Sequence, residues 1–183
     1  ELSALSTHEK LGKNWEKDHL TMAEALRLDA EYGKGPIAWE SDASLHDAIH
    51  AIQSFANAPL NLPSHFDSLL RPYQRVGVQW LSTLHRYGLG GILADDMGLG
   101  KTLEAIAFLF TLSDEKPRLV VAPKSVLYNW ENEFRRWAPS LPVYVIDGTK
   151  EKRLSLIRSI GESPKATYIA SYDSLRNDVT EYA

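Results

Sequence analysis

The residues best suited to chemistry lie in LADDMGLGKTLEAI, positions 93–106. Gly98 and Gly100 permit backbone angles that wrap successive N–H groups, those of Met97 and Leu99 included, around an anion. An apolar helical pattern starts at Lys101, so the free amides and dipole of that helix face the same point. Lys101 can reach terminal phosphates as a mobile charge. Thr102 can offer its hydroxyl to a magnesium ion bridging them. The pattern G-x-x-x-x-G-K-[ST] is not complete, because Asp95 stands where its first glycine belongs. A purely structural glycine turn is therefore the competing reading. Asp95 and Asp96 repel phosphate if they face it, so they are expected to point away, to contact the loop's own backbone or to meet a partner.

Other side chains add to this set with less force. The Gln74 amide can match both edges of an adenine amide pattern, or it can be a solvated helix glutamine. Arg71 can support a base or phosphate, or simply lie on the surface. Tyr73 and Trp80 read as core rather than as stacking platforms. Lys124 and Ser125 come just after a strand and at a helix start, where a nucleic-acid backbone phosphate can sit. A plain N-cap role for Ser125 is compatible. Trp130 and Trp137 read as core, and Arg135 and Arg136 as a solvated face.

These groups need elements to hold them. Pro72 suits a helix start, and Tyr73, Val76, Gly77, Trp80, Leu81 and Leu84 then recur at helical spacing until Gly88 and Gly90. GILA (91–94) reads as a short strand leading into the glycine loop. The next helix turns Leu103, Ile106, Ala107 and Phe110 inward. RLVVA (118–122), VYVI (143–146) and TYIAS (167–171) read as strands. Helices over about 125–137 and 150–160 separate them. Alternating strands and helices predict an α/β fold, a parallel sheet between helices. Right-handed crossovers bring the strands' C-terminal ends to one edge, where ligands bind in open α/β sheets. Upstream, Thr21 with Glu24 and Ser44 with Asp47 look like capping boxes. They predict helices over about 22–32 and 45–56, in a helical N-terminal region spanning 1–57. Residues 1–19 have no clear period, GKGPIAW (33–39) reads as a turn, and 58–69 is expected to be a linker.

At this point a family resemblance becomes specific. DDMGLGKT resembles the first helicase motif of Swi/Snf-type DNA-translocating ATPases, a branch of the superfamily-two helicases in which an aspartate commonly replaces the loop's first glycine. LRPYQRVGVQWL (70–81) resembles that family's adenine-recognising segment, LVVAPKSVLYNWENEF (119–134) its next motif, and IASYDSLRND (169–178) the one after, in the same order. The resemblance implies a RecA-like P-loop NTPase lobe over 70–183, incomplete at its C-terminus. It implies ATP and Mg2+ as cofactors, with Arg71, Gln74, Met97, Gly98, Leu99, Gly100, Lys101 and Thr102 at the nucleotide. It also implies that Lys124, Ser125, Ser171 and Tyr172 contact one strand of double-stranded DNA. Residues 1–57 resemble nothing nameable; their place is compatible with the helical region that precedes the motor in bacterial members.

Hydrolysis needs further carboxylates for magnesium and for the attacking water. The family draws them from an Asp-Glu pair on a later strand, which is expected about 15–25 residues after IASYDSL from the length of a helical crossover. The second RecA-like lobe and its arginine fingers are also expected elsewhere in a longer protein. The chain begins at Glu1 rather than Met, which fits a fragment. On this reading the fragment binds nucleotide weakly and hydrolyses it negligibly. The resemblance implies that the whole protein remodels DNA-bound proteins rather than separating strands. An RNA or DNA helicase of a neighbouring branch, a P-loop kinase and a non-catalytic module with a vestigial loop are the alternatives.

Composition sets the outer bounds. The chain has 183 residues, 44% of them hydrophobic, a net charge of −4 and no cysteine. Disulfides and cysteine-based metal sites are thereby excluded, and a reducing compartment fits. The six histidines show no ligand-like pairing. Acidic residues outnumber basic ones about two to one before residue 70, while the remainder is slightly basic, which suggests two modules. No apolar run reaches the ~18 residues of a membrane span. An intracellular setting is expected, cytoplasmic and nucleoid-associated or nuclear.

Overall fold

The computed structural model describes residues 21–32, 43–112, 116–163 and 165–182. Helices α1 (Met22–Tyr32) and α2 (Ala43–Gln53) come first and pack on each other. The capping pair at α1 is present: Thr21 N–H donates to Glu24 Oε2 at 2.9 Å, and Glu24 N–H to Thr21 Oγ1 at 3.3 Å. Ser44 lies inside α2, one residue past its start, rather than ahead of it. The expectations for 1–19 and for GKGPIAW lie outside the described residues.

The last five residues of the stretch expected as a linker, 58–69, are helical. Helix α3 (His65–Leu69) buries Phe66 completely and packs it with Leu70, Val78 and Ala107. Fully burying such a side chain is worth roughly 2 kcal/mol, enough to dock this short turn. The Pro and Asn signals mark only 57–63.

Helix α4 (Pro72–Arg86) has proline at its first position and ends at Gly88. Leu89 N–H reaches Leu84 O at 2.9 Å and Gly88 N–H reaches His85 O at 3.0 Å, with Gly88 at φ +67. That is the left-handed helix stop glycine favours. Its buried residues are Gln74, Val78, Thr83 and Leu84, whereas Tyr73 and Val76 are exposed, contrary to the face read from the apolar spacing. The helix packs on α2 and on α5 (Lys101–Thr111), and two neighbours bury more than one stripe.

GILA is not a strand. Residues 89–96 run without regular structure, and Ile92 is 84% exposed. Gly91 lies against Trp80 and Leu84, where a Cβ would meet Trp80 at 2.6 Å. This segment follows α4 because, among the described residues, no strand pairs with it.

The other three strands form as expected: β1 (Arg118–Ala122), β2 (Val143–Ile146) and β3 (Thr167–Ser171). All are parallel, in the order β1-β3-β2. The register sets Val120 beside Ile169 and Ile169 beside Val145. This face packs with Ile106 of α5 and with Leu127 and Phe134 of α6 (Leu127–Trp137), along with the partly buried Trp130 and Trp137. The opposite face, Tyr168, Ala170 and Ile146, packs with Ile157 of α7 (Lys150–Arg158). Helix α8 (Tyr172–Asp178) follows β3 directly. A parallel sheet covered on both faces is the predicted α/β arrangement.

Candidate functional site

The glycine loop joins the irregular segment 89–96 to α5. Gly98 and Gly100 take φ +85 and φ +83, the left-handed region in which a side chain is strained. Gly100 ends the loop as the N-cap of α5. Among the described residues, no protein group accepts the amides of Gly98, Gly100, Lys101 or Thr102. Four donors at a helix start, beside a lysine, make a cradle for an anion.

Helix α4 fixes the cradle through one peptide. Tyr73 Oη and Gln74 Nε2 both donate to Leu99 O, at 2.8 and 2.9 Å. Gln74 Oε1 accepts Arg71 N–H at 2.9 Å, capping α4. Both ends of the Gln74 amide, 4% exposed, thus bond to the protein and shape the loop. This differs from the expectation that they face an adenine. Tyr73 is likewise a loop clamp at the surface rather than core. Arg71 and Met97 are exposed, Met97 by 96%.

Lys101 reaches back across the loop and donates to Asp95 O at 2.7 Å and Asp96 O at 2.8 Å. Both partners are neutral carbonyls, so no carboxylate competes with an incoming phosphate for this ammonium. Asp95 and Asp96 themselves are exposed. The Thr102 hydroxyl has no partner among the described residues. Open amides, a mobile ammonium and a free hydroxyl fit a nucleotide's phosphates and a magnesium ion held through them. No cluster of metal-ligating side chains occurs among the described residues.

Sequence reasoning missed Glu104. It sits one turn into α5, has no exposed surface, and neither carboxylate oxygen has a hydrogen-bond partner. It fits because residue 77 is glycine: a Cβ there would overlap Glu104 Oε2. Burial, reinforced by the Asp95 charge and opposed by Lys101, raises its pKa from 4.5 to about 7. A raised acid pKa leaves stability intact below pH 4.5 and erodes it as pH rises to about 7. Glu104→Gln is therefore expected to add up to about 3 kcal/mol at pH 8. Near pH 4.5 it should add little. Urea melts at pH 4.5, 6 and 8 check this; a gain independent of pH contradicts it. A signal for Glu104 existed only in its position at the edge of the 103/106/107/110 stripe, which widens because α5 packs against both α4 and α6.

A second group of expected residues gathers where the strands end. Lys124 and Ser125 lie in a single turn of 3-10 helix after β1, both exposed, Lys124 by 74%. The N-cap of α6 is Val126, so Ser125 does not cap it. Ser171, at the end of the central strand, is 5% exposed. Its Oγ accepts Ser174 N–H at 3.0 Å, and its own N–H donates to Ser174 Oγ at 3.0 Å. That reciprocal cap occupies the hydroxyl expected to touch DNA, and leaves Tyr172, 60% exposed, as the outward residue of the step. Asp173 pairs with Arg176, and Asp178 with Arg153. Neither is placed as a catalytic carboxylate.

Residues 73–183 match the family model described as SNF2-related domain. Among curated proteins, the "Probable ATP-dependent DNA helicase CHR23" of Arabidopsis thaliana is 41% identical over 143 residues, 76% of this chain and 13% of that protein. The "ISWI chromatin-remodeling complex ATPase ISW1" of Saccharomyces cerevisiae is 50% identical over 100 residues, 52% of this chain and 9% of that protein. Among solved structures, the Sulfolobus solfataricus SWI2/SNF2 ATPase core in complex with dsDNA is 36% identical with a TM-score of 0.53, covering 61% of this chain and 23% of that one. The chain thus spans about an eighth or less of the length of these curated relatives.

Proposed function

The chain belongs to the SNF2-related family and has its RecA-like fold, and from that premise we infer that it is the nucleotide-binding part of the first lobe of an ATP-dependent duplex-DNA translocase. The observation that carries this reading is the loop 95–102: four open amides, Lys101 held only by carbonyls, and a carbonyl pinned from α4. The amides of Gly98, Gly100, Lys101 and Thr102 receive the phosphates, and Lys101 exchanges the carbonyls of Asp95 and Asp96 for them. Thr102 turns its hydroxyl to the magnesium ion that travels with the nucleotide and neutralises charge on its phosphates. Arg71, at the exposed start of α4, is the remaining candidate for the base. Gln74 and Tyr73 act by holding Leu99.

Duplex DNA is assigned to the strand-end edge. Lys124, Ser125 and Tyr172 face it, and Ser171 places Tyr172. The Sulfolobus relative, solved in complex with dsDNA, supports duplex DNA as the partner; its place at this edge rests on the exposure of Lys124, Ser125 and Tyr172. In the longer protein a second lobe supplies the remaining catalytic groups, and proteins bound to DNA are the remodelled targets. The helices α1 and α2, within residues 1–57, belong to a preceding helical region, and the boundary with the lobe is drawn within 58–69. Of the cytoplasmic and nuclear settings, the names of the curated relatives support the nuclear one, since one is a chromatin-remodeling complex ATPase and another a regulator of chromatin. No helix among the described residues is long and apolar enough to cross a membrane.

Turnover of ATP with and without duplex DNA, in this chain and in a two-lobed form, tests the reading. The chain alone is expected to show no DNA-stimulated turnover, and the two-lobed form to show it. Stimulated turnover from the chain alone overturns the assignment of catalysis to groups outside it. Duplex unwinding by the two-lobed form would move the assignment to a strand-separating helicase.

A further inference from the structure

The loop after β2 meets the strand-end edge in a way the DNA reading does not use. β3 lies between β1 and β2, yet the groups following the two outer strands touch each other. Lys124 Nζ is 3.7 Å from Asp147 Oδ1. Tyr128, in the first turn of α6, donates its hydroxyl to Asp147 Oδ2 at 3.2 Å. Asp147 follows β2 immediately, with its N–H turned back to Val145 O at 3.1 Å. Gly148 at φ +100 and the N-cap Thr149 then open α7. Three elements converge on one carboxylate.

The partners are unequal. The Tyr128 hydroxyl bonds the carboxylate directly, and the adjacent Gly148 amide, with Lys124 and Tyr128, holds the Asp147 pKa below its usual value against the opposing effect of burial. The Lys124 contact is looser than the ~2.8 Å of a charge-assisted hydrogen bond. Its lysine is 74% exposed, while Asp147 is only 23% exposed. Exposed pairs of this kind hold weakly. Asp147 is therefore anchored and Lys124 is only lent to it.

We propose that Asp147 is a positioning residue of the DNA-facing edge, an anchored carboxylate that holds Lys124 over the strand ends and competes with a DNA backbone phosphate for it. This rests on the assignment of that edge to duplex DNA. Binding moves Lys124 from the carboxylate to the phosphate while Tyr128, and the turn of Asp147 N–H back to Val145 O, keep Asp147 in place. The competition weakens binding and reduces its salt dependence, because Lys124 already has a protein counter-charge in the free state.

Duplex binding by the chain, measured by fluorescence anisotropy from 50 to 200 mM salt, tests this. Asp147→Asn is expected to tighten binding about three- to ten-fold at low salt and to steepen the log–log salt slope by about one unit. In a Lys124→Ala background the same change should lose most of its effect. Thermal melts verify folding, and Asp147→Ser, which keeps an acceptor for Tyr128, provides a second probe read the same way. Unchanged or weaker binding by both folded variants overturns the proposal, as does an effect that survives undiminished in Lys124→Ala. A wild-type chain that binds no duplex at any salt overturns the DNA assignment and the proposal with it. Binding that ignores position 147 overturns the proposal alone.

Discussion

Lys101→Ala is expected to lower nucleotide affinity, and DNA-stimulated turnover in a two-lobed form, by about two to three orders of magnitude. The size follows from geometry. Lys101 stands beside the open amides, and among the described residues its ammonium is bonded only to the carbonyls of Asp95 and Asp96. Exchanging those neutral acceptors for phosphate gains a charge-assisted contact that alanine cannot make. The free loop loses only two hydrogen bonds at an exposed segment, so the melting temperature should change little. Binding of a fluorescent ATP analogue and steady-state turnover check the two parts. A non-catalytic module with a vestigial loop would retain its activity after the substitution.

The second large effect is structural. Arg153 of α7 grips Asp178 of α8 through two nitrogens, Nε to Oδ2 at 2.6 Å and Nη2 to Oδ1 at 3.1 Å, while Nη1 donates to Gly148 O at 2.9 Å. Asp178 is 2% exposed and Arg153 16%. Removing either partner strands a buried charge, so Arg153→Ala or Asp178→Ala should cost about 3–5 kcal/mol. Replacing both with apolar residues of similar volume should cost far less. The hydrogen bonds and charge of Arg153 hold the Asp178 pKa below its usual value. A depressed pKa means the stabilisation is complete above the ordinary carboxylate pKa and disappears as pH falls through the lower folded value. Urea melts at pH 7 and near pH 3 measure both expectations. Because the same arginine holds Gly148 and the helix that carries Tyr172, the variants should also loosen the strand-end edge.

The elements that proved legible in the sequence are those whose signal is local. The three strands are short apolar runs closed by turn residues. The starts of α1 and α4 are marked by Thr21 with Glu24 and by Pro72. What was not legible depends on partners. GILA has the composition of a strand, but a strand is a property of a pair, and among the described residues none pairs with it. Gln74 and Glu104 are polar residues at polar-looking helix positions. Their burial follows from α4 and α5 lying against each other, with Gly77 admitting the carboxylate. The reciprocal cap between Ser171 and Ser174 is visible only once β3 turns into α8. At the site itself, the residue types at 98–102 were legible, while the clamp on Leu99 O was not, since it joins residues 25 and 26 positions apart.

The most direct measurement of the central claim is the backbone amide spectrum of 15N-labelled chain titrated with a magnesium-bound, non-hydrolysable ATP analogue. The account predicts saturable shifts concentrated at Gly98, Gly100, Lys101 and Thr102, with weaker ones at Tyr73 and Gln74, and their loss in Lys101→Ala. Saturable shifts centred on other residues, or shifts at the loop that persist unchanged without Lys101, would contradict it.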